Sequence, residues 1–222
     1  MGELDRGKGN RIAAEVRAYW EGLRNGRLVP TRSDVDPRGI ERALEHAFLL
    51  ERIAPGAARF RVAGMHLNDL MGMEVRGMPL TAFFTPTARK RISDILESAF
   101  NSPEVADLTL NAETGFGKPA LQARLLILPM TSDLGDVNRA LGCLIAEGAI
   151  GRSPRRFELA KAQISPIIAG SVIGRRQSPA ATLRQTGLAE APAHFAPALP
   201  TATPQMTPEA RRAMLRLVRS DD

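Results

Sequence analysis

The sequence predicts an α+β domain, a five-stranded antiparallel sheet with short helices on one face. Three observations predict it. Two apolar, partly alternating segments between residues 48 and 63 are joined by Pro55 and Gly56. A helical apolar stripe occupies residues 85–100. Three more strand-like segments then follow with only brief turns between them. Strands joined so briefly pair antiparallel. The 222 residues suffice for one well-buried domain with extensions, and barely for two.

Each element has its own signal. In residues 11–25, Ile12, Val16, Tyr19, Trp20 and Leu23 recur at helical spacing, with Gly26 as a stop. This helix holds the single Trp and the single Tyr of the chain, a stripe that must dock on something. Residues 28–36 read as extended. Asp36 can then cap a short helix with Pro37 at its first position and Ile40 and Leu44 on its inner face. Residues 48–53 and 59–63 read as a hairpin, with Phe60 and Val62 facing one way and Arg59 and Arg61 the other.

Residues 64–80 contain short helical stretches broken by Gly72 and Gly77. Thr85 and Pro86 open a longer helix whose Ile92, Ile95, Leu96 and Phe100 share a face. Strands follow at about 105–113, 119–129 and 139–147. In them Leu121, Leu125 and Ile127 oppose Leu126 and Leu128, and Leu141, Cys143 and Ile145 oppose Leu144 and Ala146. Both faces of the sheet are therefore partly apolar, whereas helices on one side alone leave the other face polar. Leu126, Leu128 and Leu144 are expected to need a cover, and the 11–25 helix, from its own chain or a second copy, is the candidate.

Charge is uneven along the chain. Residues 1–150 carry 19 Lys+Arg and 19 Asp+Glu, and residues 151–222 carry 11 and 5. The excess at the C-terminal end reads as a solvated basic tail, or as an arm for an anionic partner. Within it, residues 177–208 have the Ala, Pro and Thr content of a disordered linker, and 208–219 the stripe of a short helix. No apolar run approaches the ~18 residues of a membrane span, and the first residues lack the apolar core of a secretory signal, so a cytoplasmic protein is expected. With Cys143 as the sole cysteine, no intramolecular disulfide and no cysteine-rich zinc site can form.

The element order resembles that of a PAS domain, and the wording resembles the single-PAS proteins of alphaproteobacteria. The residues that carry this are Tyr19 and Trp20 in the first helix, Pro30 to Arg32, Phe48-Leu49-Leu50-Glu51, Arg59 through Gly64, and Gly72 through Leu80. The resemblance spans residues 11–150 and does not cover the tail; with the change of composition after Gly148, the expected organisation is a helix and lead-in over 1–36, a PAS domain over 37–150 and a tail over 151–222. It implies a sensory and regulatory module of signal transduction with a signalling protein as partner. It also implies a cavity between sheet and helices. Phe48, Leu50, Phe60, Val62, Leu67, Leu70, Phe83, Phe84, Ile92, Ile95 and Phe100 are the candidate lining for a small apolar ligand, or ordinary core.

Catalytic patterns are not found. His46, His66 and His194 form no His-Glu-x-x-His run, and there is no Gly-x-Ser-x-Gly elbow. Gly115-Phe116-Gly117-Lys118 lacks the upstream glycine and the following Ser/Thr of a phosphate loop, and reads as a hairpin turn. Haem-binding PAS domains of the kind compared place the ligand on the long helix, which has no His here, so haem on His66 is not expected and no cofactor is required. Cys143, in an apolar strand without the flavin-photoreceptor motif, reads as an inert buried thiol. The expectation is a non-enzyme that pairs into a homodimer through Ile12, Val16, Tyr19, Trp20 and Leu23. The alternatives are a nucleic-acid binder using the basic tail, which lacks a docking motif, and a small enzyme on a similar fold, which lacks an inward acid/base pair.

Overall fold

The computed structural model describes residues 2–168 of the chain. The expected linker (177–208), terminal helix (208–219) and His194 lie outside the described residues. Helix α1 (Gly2–Arg24) leads through two 3₁₀ turns, Arg32–Asp34 and Pro37–Ala43, into the hairpin β1 (Ala47–Ala54) and β2 (Ala57–Ala63). Helices α2 (Met65–Met71) and α3 (Pro86–Asn101) follow, then β3 (Glu104–Ala112), β4 (Gln122–Thr131), β5 (Val137–Glu147) and β6 (Phe157–Pro166). The six strands form one antiparallel sheet in the order β2-β1-β5-β4-β3-β6.

The α+β class stands, with one strand more than expected. β6 pairs along the whole of β3, from Glu104–Pro166 to Ala112–Phe157. The sheet therefore runs past residue 150, where the tail was expected to begin. β6 has an edge strand's composition, with Lys161 and Gln163 exposed and Pro166 at its end. Such strands are kept polar to discourage further pairing, which is why its signal merged with the basic tail.

Two clusters of buried side chains sandwich the sheet. α2, α3 and the chain between them close the inner cluster around Ile92, Leu125 and Ile127. α1 closes the outer one around Leu126, Leu128, Leu141, Cys143 and Ile145. Alternation along β4 and β5 sorts these residues as expected, save that Leu144 belongs to the inner cluster. Gly142 of β5 is required where these layers meet. A Cβ there would strike the Leu126 carbonyl oxygen and the Phe48 ring.

Three local expectations are corrected. Leu44 lies past the 3₁₀ turn and is 40% exposed, so Ile40 and Ala43 form its buried face. The 28–36 stretch contains the Arg32–Asp34 turn, held by Asp34 Oδ2 accepting from both the amide and the hydroxyl of Thr31. The third concerns Val62. Leu49 pairs with Val62 but Leu50 with Phe60, so Arg61 is an extra residue in β2, a β-bulge. The bulge reverses the alternation: Phe60 stays buried and Val62 turns out, 54% exposed.

Candidate functional site

The structure brings together ten of the eleven side chains singled out as a cavity lining: Phe48, Leu50, Phe60, Leu67, Leu70, Phe83, Phe84, Ile92, Ile95 and Phe100. Val62 is excluded by the bulge. Phe60 is the centre of the group, meeting Phe48 and Phe83 edge-on at 5.4 Å each. Met71 is buried in the same cluster and Met78 packs against it.

On the opposite face α1 lies across β4 and β5. Ile12, Val16 and Trp20 are buried there, and the Trp20 indole donates to the Pro129 carbonyl at 2.9 Å. Tyr19 lies at the margin. Its hydroxyl donates to the Asp36 carbonyl at 2.8 Å and accepts from the Asp36 amide at 2.7 Å, fixing the entry to the second 3₁₀ turn. Leu23 is only half-buried. Gly9 lets the start of α1 approach β5, its amide donating to Glu147 at 2.9 Å where a side chain would collide. The stripe read as an intermolecular surface is thus largely occupied by its own sheet.

A profile of the PAS domain family matches residues 10–145, more than half of the chain. No curated protein matches the chain. The chain belongs to the PAS domain family. The match reaches from α1 to β5 and stops before β6.

PAS domains are sensory and regulatory modules as a class. In this PAS domain two titratable side chains, His66 and Cys143, are held in uncharged forms. His66 meets His46 edge-on at 4.5 Å, and its Nε2 accepts the Ala146 amide at 3.1 Å. That bond requires an unprotonated Nε2 and assigns the proton to Nδ1. Burial, aided by the neighbouring imidazole of His46, lowers the His66 pKa to about 4. Burial pushes the Cys143 thiol up to about 12, so no thiolate is present at neutral pH. Among the described residues no group of three His, Cys, Asp or Glu side chains could hold a metal ion, and no helix is long and apolar enough to cross a membrane. Gly115 and Lys118 exchange backbone hydrogen bonds of 3.1 and 2.9 Å, forming the two-residue hairpin expected of that motif, with Phe116 exposed at its tip.

The PAS domain also carries two polar grooves that sequence reading missed. One, of about 320 Å³, lies beside the start of α1, lined by the Asp107–Arg124 ion pair, Glu147, Lys161 and Gln163. The other, of about 460 Å³, lies at the β2 side of the sheet and is lined by Arg32, Arg61, Arg76 and Arg139. No sequence signal marks the second groove. Its arginines come from four separate segments, with 15 to 63 positions between successive ones.

Proposed function

We propose that this PAS domain is a non-catalytic regulatory module of signal transduction that acts through protein–protein contacts. The observation that carries the reading is the contrast between the two sides of the sheet. The inner side is closed by a continuous cluster of apolar side chains, whereas the other carries, around the apolar seat of α1, two charged grooves, one beside the start of α1 and one at the β2 side. The side chains that gather around Phe60 are apolar, which favours recognition over turnover.

PAS domains often mediate protein contacts and pair with one another. A homodimer of this chain would use surfaces other than Ile12, Val16 and Trp20, which its own sheet buries. The buried Met71 and the packed Met78 favour a second reading, a small apolar ligand within the core, because methionine adapts readily to a guest. Native mass spectrometry of the purified chain tests that reading directly, since a bound molecule appears as added mass.

The regulatory reading is tested in living cells with a photo-crosslinking amino acid placed at exposed positions around each groove. A discrete crosslinked partner, lost on charge reversal of the groove, is expected. Absence of a specific partner, or a His66→Gln variant that folds normally but loses cellular activity, would overturn it.

A further inference from the structure

We propose that the arginine groove docks an acidic segment of a partner protein, one in which carboxylates flank an apolar side chain. This rests on the regulatory reading above and specifies the partner's chemistry.

The groove is built on a cross-strand cluster. Glu51 of β1 lies opposite Arg59 of β2 and Arg139 of β5. Its carboxylate receives Arg59 at 2.8 Å and Arg139 at 2.9 Å, with Arg61 Nε at 3.5 Å. One carboxylate is therefore shared by three guanidinium groups, and these hold it ionised, well below the ordinary carboxylate range. Arg32 and Arg76 stand on the walls, and neither side chain has an ion pair among the described residues. Asp133 is the single acidic residue of the lining. Five arginines against Glu51 and Asp133 leave three positive charges in excess. Guanidinium groups present planar forks that take carboxylates in pairs of hydrogen bonds.

The floor is apolar. The bulge at Arg61 turns Val62 onto this face beside Leu49. Positive walls above an apolar floor match a ligand with carboxylates on either side of an apolar group. The groove opens to solvent, with Val62 54% exposed and Arg61 and Arg76 exposed at its walls. A small-molecule site encloses most of its ligand, whereas a chain segment needs to present only one side. The segment is not expected to join the sheet. The inner run Gly77–Met78 already covers the β2 edge, through Phe60 N to Met78 O at 2.9 Å and Gly77 N to Phe60 O at 2.8 Å. The chain's own residues 169–222 do not complement the groove, since they carry seven Arg against four acidic residues. A separate acidic partner is the occupant that charge favours.

The test uses the full chain and a fluorescein-labelled peptide of alternating Glu and Leu, followed by anisotropy at about 0.15 M salt. Saturable binding is expected. The double variant Arg61→Glu/Arg76→Glu should weaken it about tenfold or more. The control Arg38→Glu/Arg42→Glu, on the exposed 3₁₀ turn, should leave it unchanged. Val62→Asp should weaken it, and Glu51→Gln, which releases the shared guanidinium groups, should tighten it. Absence of saturable binding, equal binding to the double variant, or equal binding of a Lys–Leu peptide would overturn the proposal. So would a single-stranded oligonucleotide of the same charge that competes as well as the peptide, since it would show a polyanion site. Crosslinking in cells separates this from the regulatory reading. A partner retained by Arg61→Glu/Arg76→Glu removes the groove and leaves the reading. A wild-type chain without a partner removes the reading, while the peptide titration still decides the groove.

Discussion

The indole Nε1 of Trp20 donates a 2.9 Å hydrogen bond to the carbonyl oxygen of Pro129. Pro129 lies two residues past the last pairing of β4 with β3, Ile127 with Ala106. A proline is tolerated where a ladder has lost a partner, and α1 supplies a donor there. The contact ties the first helix to the centre of the sheet. Burial of Ile12, Val16 and Trp20 contributes on the order of 5–9 kcal/mol of gross transfer free energy.

Substitution at Trp20 therefore measures the docking of α1. Trp20→Phe should cost about 1–3 kcal/mol by stranding the buried Pro129 carbonyl, and Trp20→Ala about 3–5 kcal/mol by adding a cavity. Urea denaturation reads both. As the sole tryptophan, Trp20 should emit at short wavelength and resist acrylamide quenching in the native protein. A solvent-like emission spectrum would refute the docked arrangement.

His66 makes stability fall on acidification. Its folded pKa of about 4 lies below the ordinary value of 6.5, because burial and His46 disfavour the charged form. The stabilisation is complete above about pH 6.5 and is lost progressively as pH falls towards 4, where the unfolded chain takes up the proton first. After discounting for partial exposure, the loss should be on the order of 2 kcal/mol. Comparing urea midpoints for wild type and His66→Gln at neutral and acid pH checks this. The variant should be less pH-dependent across that window.

Arg155 is wholly buried and donates to the carbonyls of Ile150, Glu113 and Pro119. It gathers the loop before β6, the end of β3 and the approach to β4. Arg155→Met should cost about 2–4 kcal/mol, because three carbonyls lose their donor together. Hydrogen exchange should accelerate first in β6, whose leading residue Phe157 is fully buried.

Truncation after residue 150 should expose the β3 edge and remove Phe157 from the inner cluster. A poorly soluble or unfolded product is expected, whereas truncation after residue 168 should leave a cooperative domain. Size-exclusion chromatography with thermal unfolding distinguishes the two. A stable, monomeric product ending at residue 150 would show that β6 is dispensable.

Gly142→Ala should destabilise the sheet by about 1–3 kcal/mol, since its Cβ would meet backbone rather than a yielding side chain. Thermal unfolding reads this, and a concurrent Phe48→Leu substitution should recover little, because the Leu126 carbonyl stays in place.

Local periodicity by itself determined much of this protein. The spacing of Ile92, Ile95, Leu96 and Phe100 identified α3 and its buried face. The alternation in β4 assigned Leu125 and Ile127 to one side of the sheet and Leu126 and Leu128 to the other. Apolar material on both faces already required a cover, and the stripe of Ile12, Val16 and Trp20 was the piece to provide it. These inferences succeed because neighbours in sequence report the period of their own element. The tertiary structure decided the rest. The bulge that turns Val62 outward depends on how β2 registers against β1. β6 exists as a strand because β3 offers it an edge. Arg32, Arg61, Arg76 and Arg139 share a groove only because four elements converge there. Register, edge pairing and convergence are set by distant parts of the chain meeting in space, and a local pattern carries no record of them.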